Sequence, residues 1–160
     1  MRKGEKVIIG GIIVLAIGLM AHRGWQVSQQ TEKDPGLPYY STASNELKGQ
    51  AAKLLSDLKC RECHVIWYIR DMTANVPAPP LDGIGSLKDE EWFFKYFSAE
   101  NPQELLPTRL KEVYKMPSYA HLPEEERKVL AKYMASLKVE DWYLEETKKR
   151  YFEKLLGKAE

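Results

Sequence analysis

The sequence predicts an all-α domain, and three observations carry that prediction. Apolar residues recur at helical spacing in two stretches, 44–58 and 123–138. Nowhere does the chain alternate apolar and polar residues as a half-buried strand does. Between the two periodic stretches lies the compact turn Cys60-Arg61-Glu62-Cys63-His64, followed by a segment broken by Pro77, Pro79, Pro80, Gly83 and Gly85.

A length of 160 residues suits one compact domain with an appendage. A net charge of +1 offers no footprint for nucleic acid, and none is expected as a partner. Four Trp and nine Tyr supply bulky material for a small core.

Taken in order, residues 1–6 are basic and residues 7–21 (VIIGGIIVLAIGLMA) carry no charge. At about 1.5 Å per residue that run covers about 22 Å, short of a hydrocarbon core of ~30 Å. Snorkelling of Lys6 and Arg23, with Trp25 at the far interface, extends it enough to span. A cleaved signal peptide is the competing reading, but Ala16-Ile17-Gly18 and Leu19-Met20-Ala21 are poor cleavage sites. Residues 1–25 are therefore expected to be a single-pass transmembrane helix in the cell inner membrane, touching lipid through 7–21. The basic end stays cytoplasmic and the domain beyond it is exported to the periplasm.

Residues 26–43 read as a polar linker, with Pro35-Gly36 and Pro38 as breakers. Ser44 is a good N-cap for a helix whose stripe is Leu47, Ala51, Leu54, Leu55 and Leu58. Ser86-Leu87-Lys88-Asp89 resembles a capping box ahead of Trp92, Phe93, Tyr96 and Phe97. Residues 103–115 are expected to hold a further helical turn or two. The last clear helix starts at Pro123, with Glu124, Glu125 and Glu126 where the helix dipole favours acids. Its stripe is Val129, Leu130, Tyr133, Met134 and Leu137. The domain is expected over 44–139. The tail 140–160 reads as an amphipathic helix whose apolar side needs a cover.

The Cys60–His64 motif is the attachment sequence of a c-type haem. Its spacing lets both sulfurs reach the two vinyl groups of one porphyrin, and leaves His64 beneath the iron as the proximal metal ligand. A closed zinc site needs four ligands, and the chain has one cysteine pair with His22, His64 and His121. A redox dithiol wants a βαβ setting that is missing here. One haem c, covalently attached through Cys60 and Cys63, is the expected cofactor.

Helices around one haem, with the motif just after the first, resemble the class I cytochrome c fold over roughly residues 44–138. Two more segments carry the resemblance. Pro79-Pro80-Leu81-Asp82-Gly83 is similar to the family's P-x-L-x-G. That match implies that the Pro79 carbonyl orients His64 and that Leu81 packs on the porphyrin. Met116-Pro117-Ser118-Tyr119-Ala120-His121-Leu122, with its acid-rich helix start, is similar to M-P-x-[FY]-x-x-L. It implies Met116 as the second axial metal ligand and Tyr119 as an aromatic wall. Met20, Met72 and Met134 lie in the anchor, close after His64 and in a helix stripe; Met116 alone sits in an irregular segment. His121 is the rival ligand. The chain departs from the family in two places. Ala51 and Leu55 stand where a small residue, most often Gly, and an aromatic usually face the last helix, here at Tyr133. Val65–Ala78 lacks the usual glycine-rich run.

With both axial positions filled by protein, electron transfer between respiratory-chain partners is the expected role. No nucleophile–base pair points to independent catalysis. A tethered shuttle is one form of that role. A fixed subunit of a membrane oxidoreductase, resembling the small subunit of nitric oxide reductases, is another. A haem sensor or peroxidase would want distal polar groups, for which only His121 and Arg109 are at hand. Lys59, Arg61, Lys111 and Lys115 are candidates to ring the haem edge and steer an acidic redox partner.

Overall fold

A computed structural model describes residues 3–29, 36–69, 72, 76, 78–108 and 110–156. Expectations that touch residues 1–2, 30–35, 70–71, 73–75, 77, Arg109 and 157–160 lie outside the described residues, as do those for the side chains of 3, 6–9 and 26–29. The chain divides into two compact units, Met1–Gly36 and Leu37–Glu160.

The first unit holds helix α1, Lys3–Gln29. Ile12, Val14, Leu15, Ile17 and Leu19 are all exposed on it, so its apolar residues are spread around the helix rather than along one stripe. Among the described residues no helix is long and apolar enough to cross a membrane. The expected span begins at residue 7, and the side chains of 7–9 are among those outside the description.

The second unit is mostly helical: α2 (Asn45–Asp57), α3 (Glu90–Ser98), α4 (Glu124–Ser136) and α5 (Leu144–Leu156). Ser44 caps α2 as expected, its side chain accepting from the Leu47 N–H at 3.2 Å. The expected capping box at Ser86 is not used to start α3. Asp89 is the cap instead, accepting from the Trp92 N–H at 2.8 Å. Residues 84–86 form a 3-10 turn ahead of it, and the Ser86 hydroxyl accepts from the Val139 N–H at 3.1 Å. Short 3-10 turns at Pro102–Glu104 and Glu112–Tyr114 fill the stretch expected to hold isolated helical turns.

Alpha structure is not the whole unit. Strand β1 (Tyr39–Ser41) pairs antiparallel with β2 (Leu137–Val139), Tyr39 opposite Val139. Tyr39 is buried, so the last part of the stretch read as a linker, 26–43, includes a strand. Strands of three residues are too short to show the alternation by which a strand is recognised.

Helices α2 and α3 both pack on α4. Ala51 and Leu55 of α2 share one buried cluster with Tyr133 of α4, and Ala51 is 0% exposed. Alanine is therefore small enough for close approach at this crossing. The Tyr133 hydroxyl accepts from the Trp67 indole N–H at 3.1 Å, tying the segment after the cysteine motif to the last core helix.

Gly85 sets another close approach. A Cβ there would lie 2.2 Å from the carbonyl oxygen of Ala135. Gly85→Ala is expected to destabilise the domain by about 1–3 kcal/mol, as overpacking does. Denaturant unfolding checks this: the midpoint falls at an unchanged slope. An unaltered midpoint would mean that the backbone yields easily.

Candidate functional site

The site is built on the turn that ends α2. Lys59 takes a left-handed conformation (φ 55°) and swings the chain into a 3-10 turn at Cys60–Glu62. The N–H groups of Cys63 and His64 both donate to the Cys60 carbonyl, at 3.3 and 2.9 Å. This single turn puts both sulfurs and the imidazole beside one cavity of about 330 Å³. Every residue expected at the site lines that cavity: Cys60, Cys63, His64, Pro79, Leu81, Met116 and Tyr119.

Histidine 64 is oriented by the chain itself. Its Nδ1 lies 2.7 Å from the Pro79 carbonyl oxygen. A carbonyl only accepts, so Nδ1 carries the proton and Nε2 keeps its lone pair for a metal. Burial lowers the proton affinity of the ring, with the Pro79 carbonyl acting against it, and the neutral, ligating form is favoured. The Leu81 N–H donates to the Val65 carbonyl at 2.9 Å, which fastens the proline segment to the motif.

Just after the motif, Trp67 and Tyr68 are held by Asp82. Trp67 and Tyr68 both adopt left-handed conformations (φ 57° and 59°), which are strained for bulky side chains. Their two N–H groups donate to the buried Asp82 carboxylate. Gly83, the next residue, is itself at φ 76°, with Tyr39, Val139 and Thr147 crowding the place of a Cβ. Asp82 occupies the second of two unspecified positions in the proline–leucine–glycine pattern, so nothing in that pattern marked it out.

Met116 is held from two sides. The Tyr96 hydroxyl donates to its sulfur at 3.4 Å, and the Gln103 amide donates to its carbonyl at 3.0 Å. Both partners escaped the sequence reading. Tyr96 was legible only as one of a helix's aromatic residues, and Gln103 carries no signal. Burial pushes the Tyr96 phenol up to about 12, so it remains a donor at neutral pH. Tyr119 stands against Phe97, ring centroids 6.1 Å apart, and burial likewise raises its phenol.

The rival side chains lie elsewhere. Met72 is 101% exposed and His121 is exposed and outside the cavity wall. Met134 touches the cavity but belongs to the buried stripe of α4. Among the described residues no group of three or more His, Cys, Asp or Glu could hold a metal ion. Burial pushes the Cys60 thiol up to about 11, opposite to the depression that marks a redox-active dithiol. Lys59 and Lys115 are paired with their own neighbours, Glu62 at 3.4 Å and Glu112, and those local acids offset their steering charge.

A model of the family described as Cytochrome c matches residues 49–138. The chain belongs to the cytochrome c family. Among curated proteins and solved structures, no match to the chain is found. Membership carries a covalently bound haem c, and the two cysteines in the matched domain are Cys60 and Cys63. The residues present fit that group. The cavity is lined mostly by apolar side chains and falls within the usual ~300–1,000 Å³ of cofactor sites. Its lining includes groups a haem would use: two sulfurs on one turn, an imidazole whose Nδ1–H is committed to Pro79, and a thioether whose sulfur accepts from Tyr96. The mostly helical second unit is the cytochrome c fold, with a haem-based electron-transfer role.

Proposed function

We propose that this is a mono-haem c-type cytochrome with His64 and Met116 as axial ligands, passing single electrons between redox proteins outside the cytoplasmic membrane. One observation carries the reading: an imidazole with its Nδ1–H committed to Pro79 and a methionine sulfur held by Tyr96 line the same cavity as the two cysteines. When bound, the haem iron supplies the one-electron Fe(II)/Fe(III) couple. The protein's part is to keep geometry constant between the two states. Pro79 fixes the imidazole, Tyr96 and Gln103 fix the methionine, and Leu81, Ile84 and Phe93 help keep water from the cavity. With His64 and Met116 both holding the iron, no coordination site would be left for a substrate.

The reduced protein is expected to bind carbon monoxide poorly and to titrate as a single one-electron couple. Rapid, stoichiometric carbon monoxide binding would support the sensor or peroxidase reading instead.

The N-terminal helix gives the molecule its place in this proposal. Residues 10–21 carry no charge and their apolar side chains point out all around the helix, as in a lipid-embedded segment. The proposed arrangement is a single-pass inner-membrane anchor with a cytoplasmic N-terminus and a periplasmic haem domain. The full chain should then stay with membranes through a carbonate wash. Deleting residues 1–25 behind a cleavable signal should release a soluble domain that still carries haem, since the core and cavity residues all lie beyond Leu37. A mature N-terminus between Gly18 and Gln30 would refute the anchor.

A second reading, a fixed subunit of a membrane oxidoreductase resembling nitric oxide reductase, is favoured by the apolar side chains of Trp142, Phe152 and Leu156, all left exposed on the C-terminal tail. Loss of a parent complex's activity on deletion of residues 1–25 would identify it. A shuttle would keep exchanging electrons and lose only the effective concentration of tethering.

A further inference from the structure

Helix α5 lies beyond residues 49–138, the part matched to the family. It is nevertheless fastened to the haem domain. Thr147 is buried, its Oγ1 donating to the Tyr143 carbonyl at 3.0 Å and lying 3.4 Å from the Tyr39 hydroxyl of β1. One and two turns further on, Tyr151 and Leu155 are 4% and 5% exposed, and both line the same cavity as His64 and Met116. The apolar stripe of the tail thus finds its cover in the cofactor pocket.

Tyr151 brings a polar atom into that wall. Its phenol is buried and has no hydrogen-bond partner among the described residues, although the nearby Tyr96 hydroxyl is already committed to the Met116 sulfur. An unpaired buried hydroxyl is costly and uncommon in a folded protein. A haem entering this cavity presents one class of peripheral hydrogen-bond acceptor, its carboxylates.

We propose that α5 closes the haem pocket and that Tyr151 is a haem-binding residue, its phenol donating a hydrogen bond to a haem carboxylate while Leu155 seals the edge beside it. The inference rests on the assignment of this cavity to haem. The burial that raises the phenol's pKa keeps it protonated, and hence a donor, throughout the neutral range. A donor at the carboxylate draws negative charge away from the iron's surroundings, which favours the ferrous state. The helix therefore acts on the potential of the site as well as on its solvent exposure.

The test is Tyr151→Phe in the full-length, haem-loaded protein, with Leu155→Ala beside it. Tyr151→Phe changes one oxygen and leaves the ring's packing in place. It should retain a full complement of covalent haem by pyridine haemochrome. It should shift the carboxylate bending band in the resonance Raman spectrum and lower the midpoint potential. Leu155→Ala should leave that band in place and speed oxidation of the ferrous protein by oxygen, as the pocket edge opens to solvent. An unshifted carboxylate band in Tyr151→Phe would overturn the hydrogen bond, and unchanged oxidation in Leu155→Ala would overturn the closure. Wild-type protein without covalent haem would instead overturn the assignment of the cavity, a failure separable from either.

Discussion

Met116→Ala is expected to leave the haem covalently attached and to abolish the weak long-wavelength charge-transfer band of a ferric haem with a sulfur ligand. The midpoint potential should fall, because a thioether favours the ferrous iron. Carbon monoxide should now bind the reduced protein readily, since one coordination position is open. Met72→Ala and His121→Ala should change none of these, the first being fully solvent-exposed and the second lying outside the cavity wall. Tyr96→Phe should weaken the band without removing it, because the sulfur loses one hydrogen bond while Gln103 still holds the backbone. If His121→Ala alone altered the axial spectrum, the ligand assignment would fall.

The second large effect is expected at Asp82. Its carboxylate accepts the N–H groups of both left-handed residues, Trp67 and Tyr68. A net hydrogen bond contributes about 1 kcal/mol and an orphaned donor costs about 1–3 kcal/mol, so Asp82→Ala should cost about 2 kcal/mol or more. It leaves two donors unpaired in a segment already strained by its backbone angles. Urea unfolding measures the loss, and a fall in the Trp67 contact with Tyr133 should accompany it. Asp82→Asn keeps one acceptor and should cost less.

The pH dependence distinguishes the native protein from both variants. Burial holds the Asp82 carboxyl above its usual range, against the pull of the Tyr68 and Trp67 N–H groups. A folded pKa raised above the unfolded one contributes stability that is fully present below the unfolded value and is lost as pH rises through the folded value. The advantage of the native Asp over Asn is therefore greatest in acid and narrows toward neutral pH. An advantage that grows with pH would show that the two N–H donors outweigh burial.

Much of the site was readable in the chain because its chemistry is local. Cys60, Cys63 and His64 lie within five positions, where one turn fixes their relation whatever surrounds it. The helices at 45–57 and 124–136 were likewise legible, since a 3.6-residue period and a capping Ser44 act through neighbouring residues. Met116, Pro79, Leu81 and Tyr119 were singled out through resemblance to a family, and they line one cavity.

What tertiary structure decided is the set of contacts between residues that no local rule relates. Tyr96 reaches the Met116 sulfur across 20 positions, and Trp67 reaches Tyr133 across 66. Strand β1 forms only because β2, nearly a hundred residues later, presents free backbone groups beside it. Asp82 holds the Trp67 and Tyr68 N–H groups by supplying an acceptor, a solution invisible in a pattern that looks for glycine. The tail was readable as amphipathic, but amphipathicity states that a face must be covered and not by what. Packing places that face, with Tyr151 and Leu155, in the wall of the cavity that His64 and Met116 also line.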